Sequence, residues 1–191
     1  MVQLASDAVV ATRAAKLIVL DRDGVINYDS DQYIKSPAEW KPIPGSLQAI
    51  ARLSQGGWRI VVATNQSGIA RGLFDMAALN AIHAEMHRVV GLAGGRIDAI
   101  FFCPHAADAG CACRKPKPGL LLEIASRMDV SLAEVPMVGD ALRDLEAAAA
   151  VGAQPYLVLT GKGRKTRDAG GLPKGTEVFV DLAAIAARLA P

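Results

Sequence analysis

Short apolar runs that do not alternate with polar residues constrain this chain more than any other feature. Leu17–Leu20 reads LIVL and Ile60–Ala63 reads IVVA. A strand wetted on one face alternates apolar and polar residues, so an unbroken run calls for cover on both faces. Strand segments are predicted at Lys16–Leu20, Arg59–Thr64, Ile97–Cys103, Val135–Val138 and Tyr156–Thr160, with a weaker one at Val178–Val180. Helical patterns lie between them. Ser46–Gln55 follows Pro44-Gly45, and Asp75 caps a longer helix with Leu79, Ile82, Met86, Val89 and Val90 at helical spacing. Leu120–Met128, Ala141–Val151 (stopped by Gly152) and Ala183–Leu189 complete the set. This alternation predicts an α/β fold with a doubly wound, mostly parallel, Rossmann-like sheet. No repeat and no linker rich in Gly, Ser or Pro divides the chain, so residues 16–191 read as a single domain behind a lead-in over 1–15.

Composition removes several function classes. The 191 residues are 51% hydrophobic, which is too apolar for disorder and enough to bury a core without staples. A net charge of +2 offers no broad field for gripping nucleic acid. No segment approaches the roughly 18 apolar residues of a membrane span. The opening MVQLASDAVVATRAAK has only a short apolar run with Asp7 inside it, unlike a secretory signal. The 3 cysteines cannot form a closed set of disulfides, and all fall between Cys103 and Cys113. Reduced thiols without an export signal predict the cytoplasm. No oligomerisation stripe is visible, so a monomer is expected.

In open α/β sheets ligands bind beyond the carboxyl ends of the strands. There the chain places Asp21-Arg22-Asp23, Thr64-Asn65-Gln66, Cys103-Pro104-His105 and Gly139-Asp140. Asp21 and Asp23 stand two apart, so in extended chain both face one cavity. Asp140 arrives from a later strand, with Asp144 one helical turn beyond. Carboxylates gathered in this way repel one another unless a divalent cation sits among them, and hard oxygen ligands argue for Mg²⁺. Thr64 offers a hydroxyl, Asn65 an amide and Lys115 a point charge for phosphoryl oxygens. Arg114 carries a planar fork that can bind two oxygens of an anionic group.

Cys103, His105, Cys111 and Cys113 form C-x-H-x₅-C-x-C. Three thiolates and one imidazole fill a tetrahedral Zn²⁺ site with no open position, so the metal is expected to be structural. No recognition helix lies within the cluster, so a nucleic-acid finger is a poor fit. Arg114 and Lys115 follow the last ligand directly, so the metal would hold the loop that carries them.

With these residues in view, the chain resembles the haloacid dehalogenase superfamily of aspartate-nucleophile phosphatases. LIVLDRDGVIN, ATNQSG, RKPKPG and MVGDALRD match its four ordered motifs between Lys16 and Asp144. The resemblance implies that Asp21 attacks phosphorus and forms an aspartyl-phosphate, while Asp23 protonates the leaving oxygen and later deprotonates water. For that, Asp23 is expected to sit well above the ordinary Asp pKa of about 3.9. The resemblance also implies Mg²⁺ held by the Asp21 and Asp140 carboxylates and the Asp23 backbone carbonyl, with Asp144 supporting or capping. DRDGVIN, TNQSGIARG and CPH…CACRKPKPG are similar to the heptose-bisphosphate phosphatase branch, which removes a 7-phosphate in the cytoplasmic supply of nucleotide-activated heptose for lipopolysaccharide or related glycans. Histidinol-phosphate phosphatases share the same frame and are the enzyme alternative. A non-catalytic zinc-stabilised binding module is the alternative of another class, and it has no use for the intact Asp21, Asp23, Thr64, Lys115 and Asp140. Polynucleotide phosphatases share a related stretch, but the charge balance disfavours them.

The spacing between motifs leaves no room for a cap domain, so the fold is expected to be capless with an open site. By the resemblance, the substrate loops carry Asp29 and Tyr33, then Asn65, Gln66 and Ser67, then Arg114. The chain departs from the pattern in two places: Asp29–Tyr33 is one residue longer, and Ala141 stands where a Lys is frequent. The basic stretch Thr160–Arg167 is expected to be a solvated loop. His83 and His87 are expected on an exposed helix face, and Trp40 and Trp58 in packing.

Overall fold

Six strands and six α-helices alternate along residues 16–191, the part of the chain that the computed structural model describes. The lead-in expected over 1–15 lies outside the described residues. The strands are β1 (Leu17–Leu20), β2 (Arg59–Asn65), β3 (Ala99–Cys103), β4 (Pro136–Gly139), β5 (Gln154–Val158) and β6 (Glu177–Phe179). The helices are α1 (Ser46–Gln55), α2 (Met76–Leu92), α3 (Gly119–Met128), α4 (Leu142–Ala150), α5 (Gly163–Ala169) and α6 (Leu182–Leu189). All strands pair in parallel in the order β3-β2-β1-β4-β5-β6. The order reverses direction beside β1, and at such a switch point a crevice opens between the strand ends. Asp21 and Asp140 leave β1 and β4 on the two sides of it, and the Asp21 N–H bonds the Val138 carbonyl at 2.9 Å.

The unbroken apolar runs do what their pattern requires. Along β1 and β2, Ile18, Leu20, Ile60 and Val62 pack toward α1, α2 and α6. The alternate residues Leu17, Val19, Val61 and Ala63 pack toward α3 and α4. Asp75 caps α2 as expected, its carboxylate accepting from the Ala78 N–H at 2.8 Å, and Asp181 caps α6 in the same way. No inserted domain stands over the strand ends among the described residues, in keeping with the capless expectation.

The structure corrects the basic stretch. Residues expected to be a solvated loop form α5, seated against the sheet by Gly163, where a Cβ would stand 1.7 Å from the Val158 carbonyl oxygen. Only glycine allows that approach, and it carries Lys162 to the site. β5 accordingly ends at Val158, and Thr160 turns inward, donating to the Gly24 carbonyl at 2.6 Å.

Because both faces of β1 are covered, Leu17→Ala and Ile18→Ala are each expected to cost about 2–5 kcal/mol of stability. Urea unfolding of the two variants checks this; a negligible loss for either would mean that one face is not packed.

Candidate active site

The strand ends converge on a cavity of about 210 Å³. Its lining includes Asp21, Asp23, Thr64, Asn65, Gln66 and Ser67 from the first two strand ends. Asp29 and Tyr33 come from the following loop, and Arg114, Arg143 and Lys162 from three others. Lys115 and Asp140 stand behind this lining, at 1% exposure each.

Asp21 is held from both sides. Its Oδ1 accepts from the Arg22 N–H at 2.8 Å and lies 3.1 Å from Lys115 Nζ. Among the described residues no hydrogen bond engages Oδ2. Lys115 Nζ also donates to the Ala63 carbonyl at 2.7 Å and reaches Asp144 Oδ1 at 2.7 Å. Burial pulls the Lys115 pKa down, but Asp144 and Asp21 outweigh it and hold the ammonium charged. Asp144 Oδ2 accepts from the Ala141 N–H at 3.1 Å, so this carboxylate both caps α4 and anchors the lysine.

Three carboxylates, from Asp21, Asp140 and Asp144, bring oxygens within 4.8 Å of one another. Burial, with Asp21 and Asp144 adding to it, pushes Asp140 up to about 7. Burial also pushes Asp21 up to about 6, against the pull of Lys115. Asp140 Oδ2 accepts from the Lys162 N–H at 2.7 Å, while Oδ1 is buried with no partner among the described residues. An orphaned buried carboxylate oxygen beside two more carboxylates fits a hard divalent cation. A Cβ at Gly24 or Gly161 would stand 2.1 or 2.2 Å from Asp140 Oδ2, so glycine at both positions keeps this carboxylate in place.

Asp23 departs from expectation. Burial pushes its carboxyl up, but the Arg22 guanidinium and hydrogen bonds from Asn27 and Gln66 together hold it below the ordinary range. Arg22, fully buried, reaches both Asp23 oxygens from Nη2, at 3.0 and 2.9 Å. Its Nη1 lies 3.5 Å from His83 Nε2. His83 is therefore buried rather than exposed, while His87 does face solvent as expected. Burial first, then Arg22, pushes the His83 imidazole down to about 4, so it is a neutral acceptor for a guanidinium that can only donate.

Two residues expected to meet substrate line the cavity and also hold other site residues. Asn65 clamps the Lys115 backbone, donating to its carbonyl at 3.1 Å and accepting from its N–H at 3.2 Å. Gln66 Nε2 reaches Thr64 Oγ1 at 2.9 Å and Asp23 Oδ2 at 3.0 Å. Thr64 thus accepts from Gln66 and keeps its own proton to donate. Asp29 lines the cavity but pairs with Lys162 at 2.8 Å. Tyr33 lines it with φ 62°, in the left-handed region. Trp40 is buried and Trp58 packs against the same core.

Sequence reasoning did not single out Arg143, named Arg22 only within a strand-end run, and read Lys162 as part of a solvated basic loop. Arg143 and Lys162 each stand at a helix N-terminus, where the dipole disfavours positive charge. Position 141 carries no cation in this chain, and the cation that α4 offers the cavity is Arg143.

The four ligand atoms of Cys103, His105, Cys111 and Cys113 also lie within 4.8 Å of one another. Cys103 Sγ is 3.3 Å from Cys113 Sγ and 3.7 Å from Cys111 Sγ, and His105 Nδ1 is 3.3 Å from Cys113 Sγ. A tetrahedron with metal–sulfur bonds of about 2.3 Å has edges of about 3.8 Å, so the set fits Zn²⁺. The cluster lies directly before Arg114 and Lys115, and the Gln66 N–H bonds the Cys103 carbonyl at 2.7 Å, joining two of the site loops.

A HAD-hydrolase-like family model matches residues 112–185. A D-glycero-beta-D-manno-heptose-1,7-bisphosphate 7-phosphatase of Bordetella bronchiseptica is 65% identical over 174 residues, 91% of this chain and 97% of the relative. One from Pseudomonas putida is 58% identical over 91% of this chain and 99% of the relative. The crystal structure of the D,D-heptose 1,7-bisphosphate phosphatase from B. bronchiseptica, complexed with magnesium and phosphate, superposes with a TM-score of 0.90 at 65% identity, covering 91% of this chain and 97% of that one.

Asp144→Ala leaves Lys115 buried beside a single carboxylate. A loss of about 3–5 kcal/mol is expected, read as a lower denaturant midpoint; unchanged stability would show that the pair does not hold the loop.

Proposed function

The chain belongs to the HAD-like hydrolases, and on that premise we propose that it removes the 7-phosphate of D-glycero-D-manno-heptose 1,7-bisphosphate. The observation that carries the reading is the placement of Asp21 and Asp23 on one cavity wall, with Asp21 3.1 Å from the buried Lys115 ammonium. The relatives' names favour the beta anomer of the substrate. The product then supplies nucleotide-activated heptose for lipopolysaccharide or related surface glycans. Three cysteines gathered for a metal suit a reducing compartment, and we place the enzyme in the cytoplasm as a monomer acting on a small phosphosugar. Among the described residues no helix is long and apolar enough to cross a membrane.

The reaction follows from the side chains present. Asp21 Oδ2, free of hydrogen bonds, attacks phosphorus in line while Lys115 holds Oδ1. The Asp21–phosphorus bond forms as the bond to the sugar oxygen breaks, and Asp23 delivers a proton to that oxygen. Arg22, Asn27 and Gln66 hold Asp23 low in the free enzyme, so the arriving phosphoryl dianion supplies the negative charge that raises it for this step. Asp23, now a carboxylate, takes a proton from water, which attacks phosphorus and releases Asp21. Thr64 donates to a phosphoryl oxygen, and Lys115 neutralises charge from behind Asp21. Mg²⁺, with the Asp21 and Asp140 carboxylates and the Asp23 backbone carbonyl as ligands, would draw charge off the phosphoryl oxygens. Structural Zn²⁺ on Cys103, His105, Cys111 and Cys113 would hold the loop that presents Arg114 to the second phosphate and Lys115 to Asp21. Ser67, Asp29 and Tyr33 shape the sugar end of the cavity.

Phosphate release measured on heptose 1,7-bisphosphate of each anomer, histidinol phosphate and fructose 1,6-bisphosphate tests the assignment. The heptose substrate is expected to have the highest kcat/KM; a preference for histidinol phosphate would overturn it. Asp21→Asn is expected to lower kcat by at least about 10³-fold with the fold intact, and retained turnover would exclude the aspartyl-phosphate route. Removing zinc with a chelator, then restoring excess Mg²⁺, is expected to lower both activity and melting temperature. Full activity in protein shown to be zinc-free by elemental analysis would separate the cluster from the site.

A further inference from the structure

The cations lining the main cavity are Arg114, Arg143 and Lys162. Two of them have partners. Lys162 Nζ lies 2.8 Å from Asp29 and 3.5 Å from Asp31. Arg114 donates to the His105 carbonyl at 3.4 Å. Arg143 is half-buried, and among the described residues it makes no hydrogen bond and no ion pair; its Nε is buried without an acceptor. A guanidinium cannot shed its proton, so such a group is costly until acceptors arrive from elsewhere. The local backbone does not favour it either. Arg143 is the second residue of α4, where the helix dipole repels a cation. The carboxylates of Asp144, Asp21, Asp140 and Asp29 favour its charge, but none comes within ion-pair distance.

A second groove of about 350 Å³ runs beside the metal loop, past Ala107, Gly110, Cys111 and Lys117. Arg114 and Arg143 are the two residues that line both this groove and the main cavity. They therefore stand together at the junction, where an anion can reach both guanidinium groups. We infer that Arg143 forms, with Arg114, a two-arginine clamp on the non-reacting phosphate monoester of the substrate, and is a specificity-determining residue. The inference rests on the bisphosphate reading above and adds to it the residue that answers the second phosphate from the α4 side. Two planar forks can share the three terminal oxygens of one phosphate monoester dianion, each approaching from its own side.

The test compares kcat/KM for heptose 1,7-bisphosphate and for the same sugar carrying the 7-phosphate alone, in wild-type enzyme, Arg143→Met and Arg143→Lys. Arg143→Met is expected to lower the bisphosphate-to-monophosphate ratio by about 10–100-fold, with the loss carried by KM. Arg143→Lys keeps the charge without the fork and recovers part of the ratio. If both constants fall in proportion and the ratio holds, Arg143 is a counter-charge for the carboxylates and the clamp is wrong. A ratio equal to wild type with no loss at all overturns it as well. Thermal unfolding of both variants guards against misfolding, and Arg143→Lys supplies the reading if Arg143→Met does not fold. A wild-type enzyme without preference for the bisphosphate would instead overturn the substrate assignment, and the clamp with it.

Discussion

The buried ion cluster of Lys115 between Asp21 and Asp144 is the interaction on which the rest of this structure depends. It joins three parts of the fold: the end of β1, the loop before α3 and the first turn of α4. Charges at 0–4% exposure are costly to desolvate, and only close geometry with further hydrogen bonds offsets that cost. Here the further bonds are present, from Lys115 to the Ala63 carbonyl and from the Ala141 N–H to Asp144. Asp140 is the carboxylate left over, with one oxygen satisfied by the Lys162 N–H and the other by nothing among the described residues. The fold thus settles one carboxylate–ammonium balance internally and leaves another that suits a cation.

Around this centre the polar residues divide between holding one another and facing the cavity. Asn65, Gln66, Arg22 and Asp144 hold, and His83 backs Arg22 from α2. This support keeps Asp21, Asp23, Thr64 and Lys115 in place without requiring ligand to order them. The clustered cysteines and His105 are arranged so that a metal ion could do the same for the loop before α3. Among the described residues no inserted domain stands above the strand ends, and cations on loops and helix starts line the cavity there. That division explains why so much charge stands within a cavity of about 210 Å³.

Much of this was legible in the sequence, and the misses share a cause. Element types and order follow from the apolar runs and cap residues, with boundaries differing by a residue or two. The exception is α5, whose charged sequence resembles a solvated loop. It is a helix because Gly163 lets the chain approach Val158, a contact that no local pattern reports. His83 looked like half of an exposed pair with His87, yet the two fall on different sides of α2's burial boundary. Asp23 lies below the ordinary range in the ligand-free protein for a similar reason. Its carboxyl is governed by Arg22, Asn27 and Gln66, and the last of these comes from another strand.

The sequence by itself determined the parallel sheet, the strand ends that carry Asp21, Asp23, Thr64 and Asp140, and the metal-ligand spacing between Cys103 and Cys113. Those are properties of periodicity and side-chain chemistry, which act over a few neighbouring residues. Tertiary structure alone decided which of these groups are buried, which cancel one another and which remain unsatisfied. Lys115 is matched by Asp144 across 29 residues of chain, whereas Arg143, next to Asp144, meets no partner among the described residues. Electrostatic balance depends on distance and desolvation in three dimensions, so no linear pattern could have separated the cation that holds the fold from the one left free for an anion.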